Sequence, residues 1–156
     1  MRYYLDSSAI IKRVLIEDGS ADLAAMLATL RRMGGTFVTS ELGEVEVARA
    51  LRQSVSQGRL SREGYQTAWD TAFSGIDTVG LTHEVLVKAR SIGADELRTL
   101  DAIHLAAAWV GGADVIITYD ERLLRAGMDV GLATAQAGVR NPTLPPGWGW
   151  IEGGED

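Results

Sequence analysis

Asp6, Asp101 and Asp120 are the side chains whose placement could do chemistry. Asp6 follows Tyr3-Tyr4-Leu5, and Asp120 follows Val115-Ile116-Ile117-Thr118-Tyr119. Both runs are short and rich in β-branched or aromatic residues, so they read as buried strands. In an open parallel sheet, sites form at the carboxyl ends of the strands. Asp101 heads the stretch Thr99 to Trp109, in which Leu100, Ile103, Ala107 and Val110 fall at helical spacing. The alanines of that stretch let a neighbouring element come close. Each aspartate alone could be an ordinary helix cap meeting the positive end of a helix dipole. Two that end strands of one sheet are better explained together: converging carboxylates repel and raise one another's pKa, and a divalent cation removes that penalty.

A fourth acid comes from the run Ser40 to Leu51, SELGEVEVARAL, which offers Glu41, Glu44 and Glu46. Glu41 sits where a helix-dipole partner would, and Glu44 reads as solvated. Glu46 lies between Val45 and Val47, so it is either paired with Arg49 three residues on or a ligand. Ser7, Ser8 and Thr118 read as caps and strand residues that could also hold a metal-bound water. His104, three residues after Asp101, reads as structural. No GxxxxGK[ST], GxGxxG or GxSxG occurs, so neither nucleotide cofactors nor serine-hydrolase chemistry has support.

Composition narrows the metal. The 156 residues contain no cysteine and only His83 and His104 as histidine, which excludes disulfides, thiolate sites and a multi-histidine zinc centre. An ion held by oxygen alone is most simply Mg²⁺ or Mn²⁺. No apolar run reaches the roughly 18 residues of a membrane span, and no basic-then-apolar leader opens the chain. A reducing cytoplasm is expected. The net charge of −6 opposes non-specific nucleic-acid binding, yet all basic residues except Lys12 and Lys88 are arginine, whose planar fork suits phosphate.

The elements that must position these acids alternate between strand and helix. Strands are expected at 2–5, 36–39, 76–81, 115–118 and 132–134. Helices are expected from Ser7 or Ser8 to about Leu15, from a Ser20 cap over 21–33, from a Ser40 cap over 41–57, and over 61–73, 82–92, 99–110 and 121–126. This pattern means α/β, with a mostly parallel sheet. One domain is expected over 1–139. The segment 140–156 holds all three prolines with Trp148 and Trp150, and is expected to be irregular.

LDSSAIIK at 5–12, TSELGEVEVARAL at 39–51, LDAIHLAAA at 100–108 and TYDERLLRAG at 118–127, in that order, resemble the PIN-domain nucleases. They are most similar to the VapC-type toxins of bacterial toxin–antitoxin pairs. The resemblance spans roughly residues 1–135. It implies an α/β/α sandwich around a parallel sheet. It also implies a catalytic and metal-binding pocket made by Asp6, Glu46, Asp101 and Asp120, binding Mg²⁺ or Mn²⁺ and cleaving RNA, tRNA or rRNA above all. The hydroxyl after the first Asp is Ser7, where the family often has Thr. Carboxylates holding hard cations activate water for in-line attack on phosphate, leaving a 5′-phosphate and a 3′-hydroxyl. Such a pocket needs basic contacts at its rim for RNA, and Lys12, Arg13, Arg49, Arg52, Arg122 and Arg125 are the candidates. The resemblance further implies a small antitoxin partner and a homodimer, expected through the apolar Val55, Leu60, Tyr65 and Trp69. The rivals are a housekeeping RNA-processing nuclease, a non-catalytic module of the same fold, and a phosphohydrolase using Asp6 as nucleophile. The last is disfavoured because Ser8 stands where that chemistry wants a second Asp.

Overall fold

The computed structural model describes residues 1–93 and 97–138. Its elements are β1 (Arg2–Leu5), α1 (Ser7–Ile11), α2 (Ser20–Arg32), β2 (Thr36–Ser40), α3 (Glu41–Ser56), α4 (Gly64–Phe73), β3 (Ile76–Val79), α5 (His83–Ser91), α6 (Thr99–Val110), β4 (Val115–Ile117), α7 (Glu121–Asp129) and β5 (Ala133–Ala135). The strands form one sheet in the order β3-β2-β1-β4-β5, every pairing parallel. The chain steps outward from β1 to β3, then returns to lay β4 on the other side of β1. The sheet's switch point therefore lies at the carboxyl ends of β1 and β4, where Asp6 and Asp120 emerge. Segment 140–156 lies outside the described residues.

Strand alternation divides the core in two. Tyr3, Leu5, Phe37, Val115 and Ile117 pack under α1, α2, α3 and α4. Tyr4, Val38 and Ile116 pack on the opposite face under α5, α6 and α7. With both faces covered, the central strands β1 and β4 are apolar almost throughout and appear in the sequence as short apolar runs, whereas the edge strand β3, Ile76–Val79, exposes Asp77 and Thr78. In α6 the run His104 to Ala108 is buried all round, and of the expected stripe Ala107 is buried and Ile103 and Val110 pack on the core, while Leu100 is exposed.

Several boundaries differ from expectation for local reasons. The first helix stops at Ile11 rather than Leu15, because the next amides bond one residue short, Arg13 N to Ile10 O and Val14 N to Ile11 O. Its cap is Asp6 itself, which accepts from Ala9 N. Gly19, in the left-handed region at φ 81°, opens α2, while Ser20 accepts from Glu17 N instead. Ser40 does cap α3, accepting from Gly43 N. Ser61 holds Gly64 N, so the fourth helix opens three residues later than expected. The last strand runs 133–135.

Candidate active site

Asp6 is fixed by backbone and side chain together. Its amide donates to Ile117 O, extending the β1–β4 ladder by one residue. Its carboxylate receives Thr118 Oγ1 at 2.6 Å on one oxygen, and Ser8 Oγ at 2.7 Å and Ala9 N at 3.0 Å on the other. Ser8 Oγ accepts in turn from Tyr119 N, and Thr118 Oγ1 accepts from Asp120 N. The side chain is only 4% exposed. Burial pushes its carboxyl above the ordinary value, and the bonds from Thr118, Ala9 and Ser8 and the positive charge His104 can carry do not offset this fully.

Glu46 reaches the same place from α3. Its Oε2 lies 2.8 Å from His104 Nε2, and the hydroxyl of Ser7 bonds it as well. The pairing with Arg49 open in the sequence is thus not made; Arg49 is exposed on the same helix. Burial pushes the Glu46 carboxyl up, but the hydrogen bond and charge of His104 outweigh it and hold it below the ordinary value. The other ring nitrogen, Nδ1, lies 2.7 Å from the Tyr4 hydroxyl, which donates to Ser40 Oγ at 2.7 Å. A buried line of polar groups therefore runs Ser40, Tyr4, His104, Glu46, Ser7 between the two sides of the sheet. Burial pushes the Tyr4 phenol well above its usual value, so it serves as a neutral donor.

Asp120 caps α7, its Oδ1 accepting from Arg122 N and Leu123 N, and it is joined to Asp6 through Thr118. Asp101 sits one turn before His104, and its Oδ2 accepts from Arg98 N at 3.3 Å. Among the described residues no three Asp, Glu or His side chains are gathered so as to enclose a metal ion. The donor set nevertheless suits a hard divalent cation: all its oxygens are carboxylate or hydroxyl. At its centre is a buried carboxylate whose ionisation the protein's own donors leave undercompensated.

The remaining sequence candidates divide. Glu41 accepts from Leu81 N and Glu44 accepts from Thr78 Oγ1, so both hold the end of β3 instead of joining Glu46. Lys12 donates to Asp18 O and pairs with Glu17, while Arg13 donates to the carbonyls of Ala72 and Ser74 past the end of α4. These two act inside the fold. Arg49, Arg52, Arg122 and Arg125 are exposed, the last paired with Glu121 at 3.7 Å. Sequence reasoning missed Tyr4 and Ser40 as site residues and took His104 as structural. A signal existed: a tyrosine inside a buried strand needs a partner for its hydroxyl, and a lone histidine one turn from Asp101 could supply it.

Residues 3–128 match the PIN domain family. Ribonuclease VapC47 of Mycobacterium tuberculosis is 36% identical over 138 residues, covering 87% of this chain and 97% of that protein. Ribonuclease VapC46 of the same species is 38% identical over 132 residues, covering 83% and 93%. Among solved structures, VapBC2 from Rickettsia felis, bound to a DNA fragment from its promoter, superposes with a TM-score of 0.69 at 14% identity over 88% of this chain and 99% of that one. Mycobacterium tuberculosis VapC20, described as a sarcin-ricin loop cleaving toxin, superposes with a TM-score of 0.63 at 15% identity over 80% and 95%. At such identities the structures speak for the α/β fold, whereas the family match and the closer sequences fix the lineage: the chain belongs to the PIN-domain family, among its VapC ribonucleases.

Proposed function

We propose that this chain is an endoribonuclease, the toxin of a toxin–antitoxin pair, dependent on Mg²⁺ or Mn²⁺ held by Asp6 with Glu46, Asp101 and Asp120. The observation that carries the reading is Asp6: a carboxylate buried at the switch point of the sheet, oriented by three donors yet undercompensated in charge. When bound, a divalent cation supplies an acidified water and neutralises charge building on the phosphodiester. The chain's own residues do the rest. Thr118 and Ser8 hold Asp6 in one rotamer, and Thr118 also fixes the backbone of Asp120. His104 holds Glu46 in its ionised form against the opening of the site. Among the described residues no side chain is placed as a covalent nucleophile; attack by water with the 3′-oxygen as leaving group would leave a 5′-phosphate and a 3′-hydroxyl.

The substrate is RNA, a tRNA or rRNA loop above all, and the exposed Arg49, Arg52, Arg122 and Arg125 are its phosphate contacts. A small antitoxin protein restrains the activity, consistent with the VapBC complexes among the structural relatives. Induced expression alone should arrest growth and cut a structured RNA. Purified protein should do the same with Mg²⁺ or Mn²⁺ and stop with chelator. Asp6→Asn, Asp101→Asn and Asp120→Asn should each abolish both effects. Growth arrest by Asp6→Asn as strong as by the wild type would overturn the reading.

A further inference from the structure

Glu46 and Asp101 come to the candidate site from α3 and α6, which lie on opposite faces of the sheet, while Asp6 comes from the strand between them. Groups on separate elements form a working site only when they are held to within about 0.5 Å of their proper places. Three such elements need a common fixed point.

Tyr4 is placed to be that point. It is fully buried in the core under α5, α6 and α7, so its ring is held by packing. Asp6 follows two residues later, on the same side of the chain. The Tyr4 hydroxyl donates to Ser40 Oγ at 2.7 Å and lies 2.7 Å from His104 Nδ1. Ser40 caps α3 by accepting from Gly43 N, so the first turn of the helix that carries Glu46 is referred to Tyr4. His104 stands one turn after Asp101 on α6, and its Nε2 lies 2.8 Å from Glu46 Oε2. The two rings meet edge to face, with centroids 5.9 Å apart. One hydroxyl of the central strand therefore touches both helices. The circuit Ser40, Tyr4, His104, Glu46 closes on itself through α3.

The imidazole is gripped at both nitrogens, and that is what matters for Glu46. Held by Glu46 alone, the ring and the carboxylate could turn together about their side-chain torsions. Held by Tyr4 as well, the ring is fixed to β1, and Glu46 must meet it there. A buried phenol needs one hydrogen-bond partner, which Ser40 already supplies; the contact with His104 goes beyond that need. Partners standing behind metal ligands change metal affinity or activity by about 10–100-fold.

We propose that Tyr4 is a positioning residue of the metal site: through His104 and Ser40, its hydroxyl sets where Glu46 and Asp101 stand relative to Asp6. The proposal rests on the reading of Asp6, Glu46, Asp101 and Asp120 as metal ligands.

Tyr4→Phe keeps the ring and removes the hydroxyl. Mn²⁺ binding to the full chain is measured by calorimetry. The imidazole signals of the metal-free protein are recorded by NMR, with His83→Gln to tell the two histidines apart. Expected is Mn²⁺ binding weakened about tenfold, the lower end of the range for such partners. The His104 signals should be displaced and those of the exposed His83 unmoved. Ile116→Val is the control, because Ile116 pairs with Tyr4 across β1 and β4 and shares its core but has an apolar side chain. It should lower the melting temperature and leave Mn²⁺ affinity as it was. Should Tyr4→Phe not fold, Ser40→Gly removes the hydroxyl on the other side of the phenol while its glycine still opens a helix; it should weaken Mn²⁺ binding too. Unchanged Mn²⁺ affinity in the folded variant, or an equal loss in Ile116→Val, overturns the positioning role and leaves the metal reading standing. A wild-type chain that binds no Mn²⁺ overturns the metal reading itself, and this proposal with it.

Discussion

Asp6 and Glu46 are carboxylates of one site pushed in opposite directions, and the difference is visible in their partners. Asp6 is enclosed by hydroxyls and an amide and stays above its ordinary value; Glu46 meets an imidazole and falls below it. The signs give opposite pH dependences. Because Asp6 has its folded pKa above its unfolded one, its ionisation costs stability, fully present as an advantage only below about pH 4 and lost as pH rises through the folded value. Asp6→Asn should therefore raise the melting temperature of the metal-free protein at pH 7.5. The gain should shrink toward pH 4, and a gain equal at both pH values in melting scans would contradict the account. Glu46 contributes stability above its unfolded pKa and loses it as pH falls through the folded one. Replacing His104 by Ala removes that support and strips Tyr4 Oη of one partner, which should cost about 1–3 kcal/mol. A double-mutant cycle with Glu46→Ala should return a coupling energy of at least about 0.5 kcal/mol between the two positions. Additive effects in urea titrations would show that the 2.8 Å contact is not what holds Glu46. Asp6 and Asp120 stand out in the sequence because they follow apolar strand runs; the contact of His104 with Glu46 does not, because the partners of that imidazole come from positions 4 and 46.

Among the elements, α3 is the one that the site depends on most, and its closeness to β2 rests on Gly43. A Cβ there would stand 2.6 Å from Thr39 Oγ1. That hydroxyl is buried and donates to Leu5 O at 2.8 Å, so it cannot move aside without stranding a carbonyl at the end of β1. Gly43→Ala should accordingly destabilise the fold by about 1–3 kcal/mol despite the better helix propensity of alanine, and should shift α3 and with it Glu46. A neutral or stabilising result by denaturant melts would mean that α3 is less tightly seated than its contacts indicate. Element existence and order were readable because strand runs and helix caps are local: Ser40, Thr82 and Asp120 all cap where helices begin. What could not be read was tertiary. Nothing local says that Asp6 rather than Ser7 or Ser8 caps α1, since the choice is made by Thr118 and Tyr119 across the sheet. The exposed Leu100 is a similar case: helical spacing found Ile103, Ala107 and Val110, which meet the core, but could not say that the first turn of α6 stands clear of it.

For the whole molecule, the arrangement of charge and apolar surface bears on two expectations. A homodimer is expected through Val55, Leu60, Tyr65 and Trp69, and Leu60, Tyr65 and Trp69 are only partly buried, packing in part against the molecule's own core. Leu86, Val87, Leu100 and Trp109 on α5 and α6 are among the large apolar side chains left exposed. Among the described residues no helix is long and apolar enough to cross a membrane. The basic rim has narrowed from six residues to four, because Lys12 and Arg13 are committed to the loop after α1 and the end of α4. With a net charge of −6 the protein as a whole repels RNA, so binding must come from a few local contacts near the acids. That reasoning makes salt the discriminating variable. Each phosphate neutralised on a single strand contributes about −0.7 to the slope of log K against log salt, so a rim of four arginines allows at most a slope of about −3. Arg49→Ala and Arg122→Ala should each weaken RNA binding alike across sequences and flatten that slope by roughly one contact. Mn²⁺ affinity measured by calorimetry should be unchanged, since neither arginine's side chain bonds a carboxylate of the site and the Arg122 amide that Asp120 accepts from is kept in alanine. A wild-type slope much steeper than −3, or one that neither substitution alters, would place the phosphate path elsewhere on the surface.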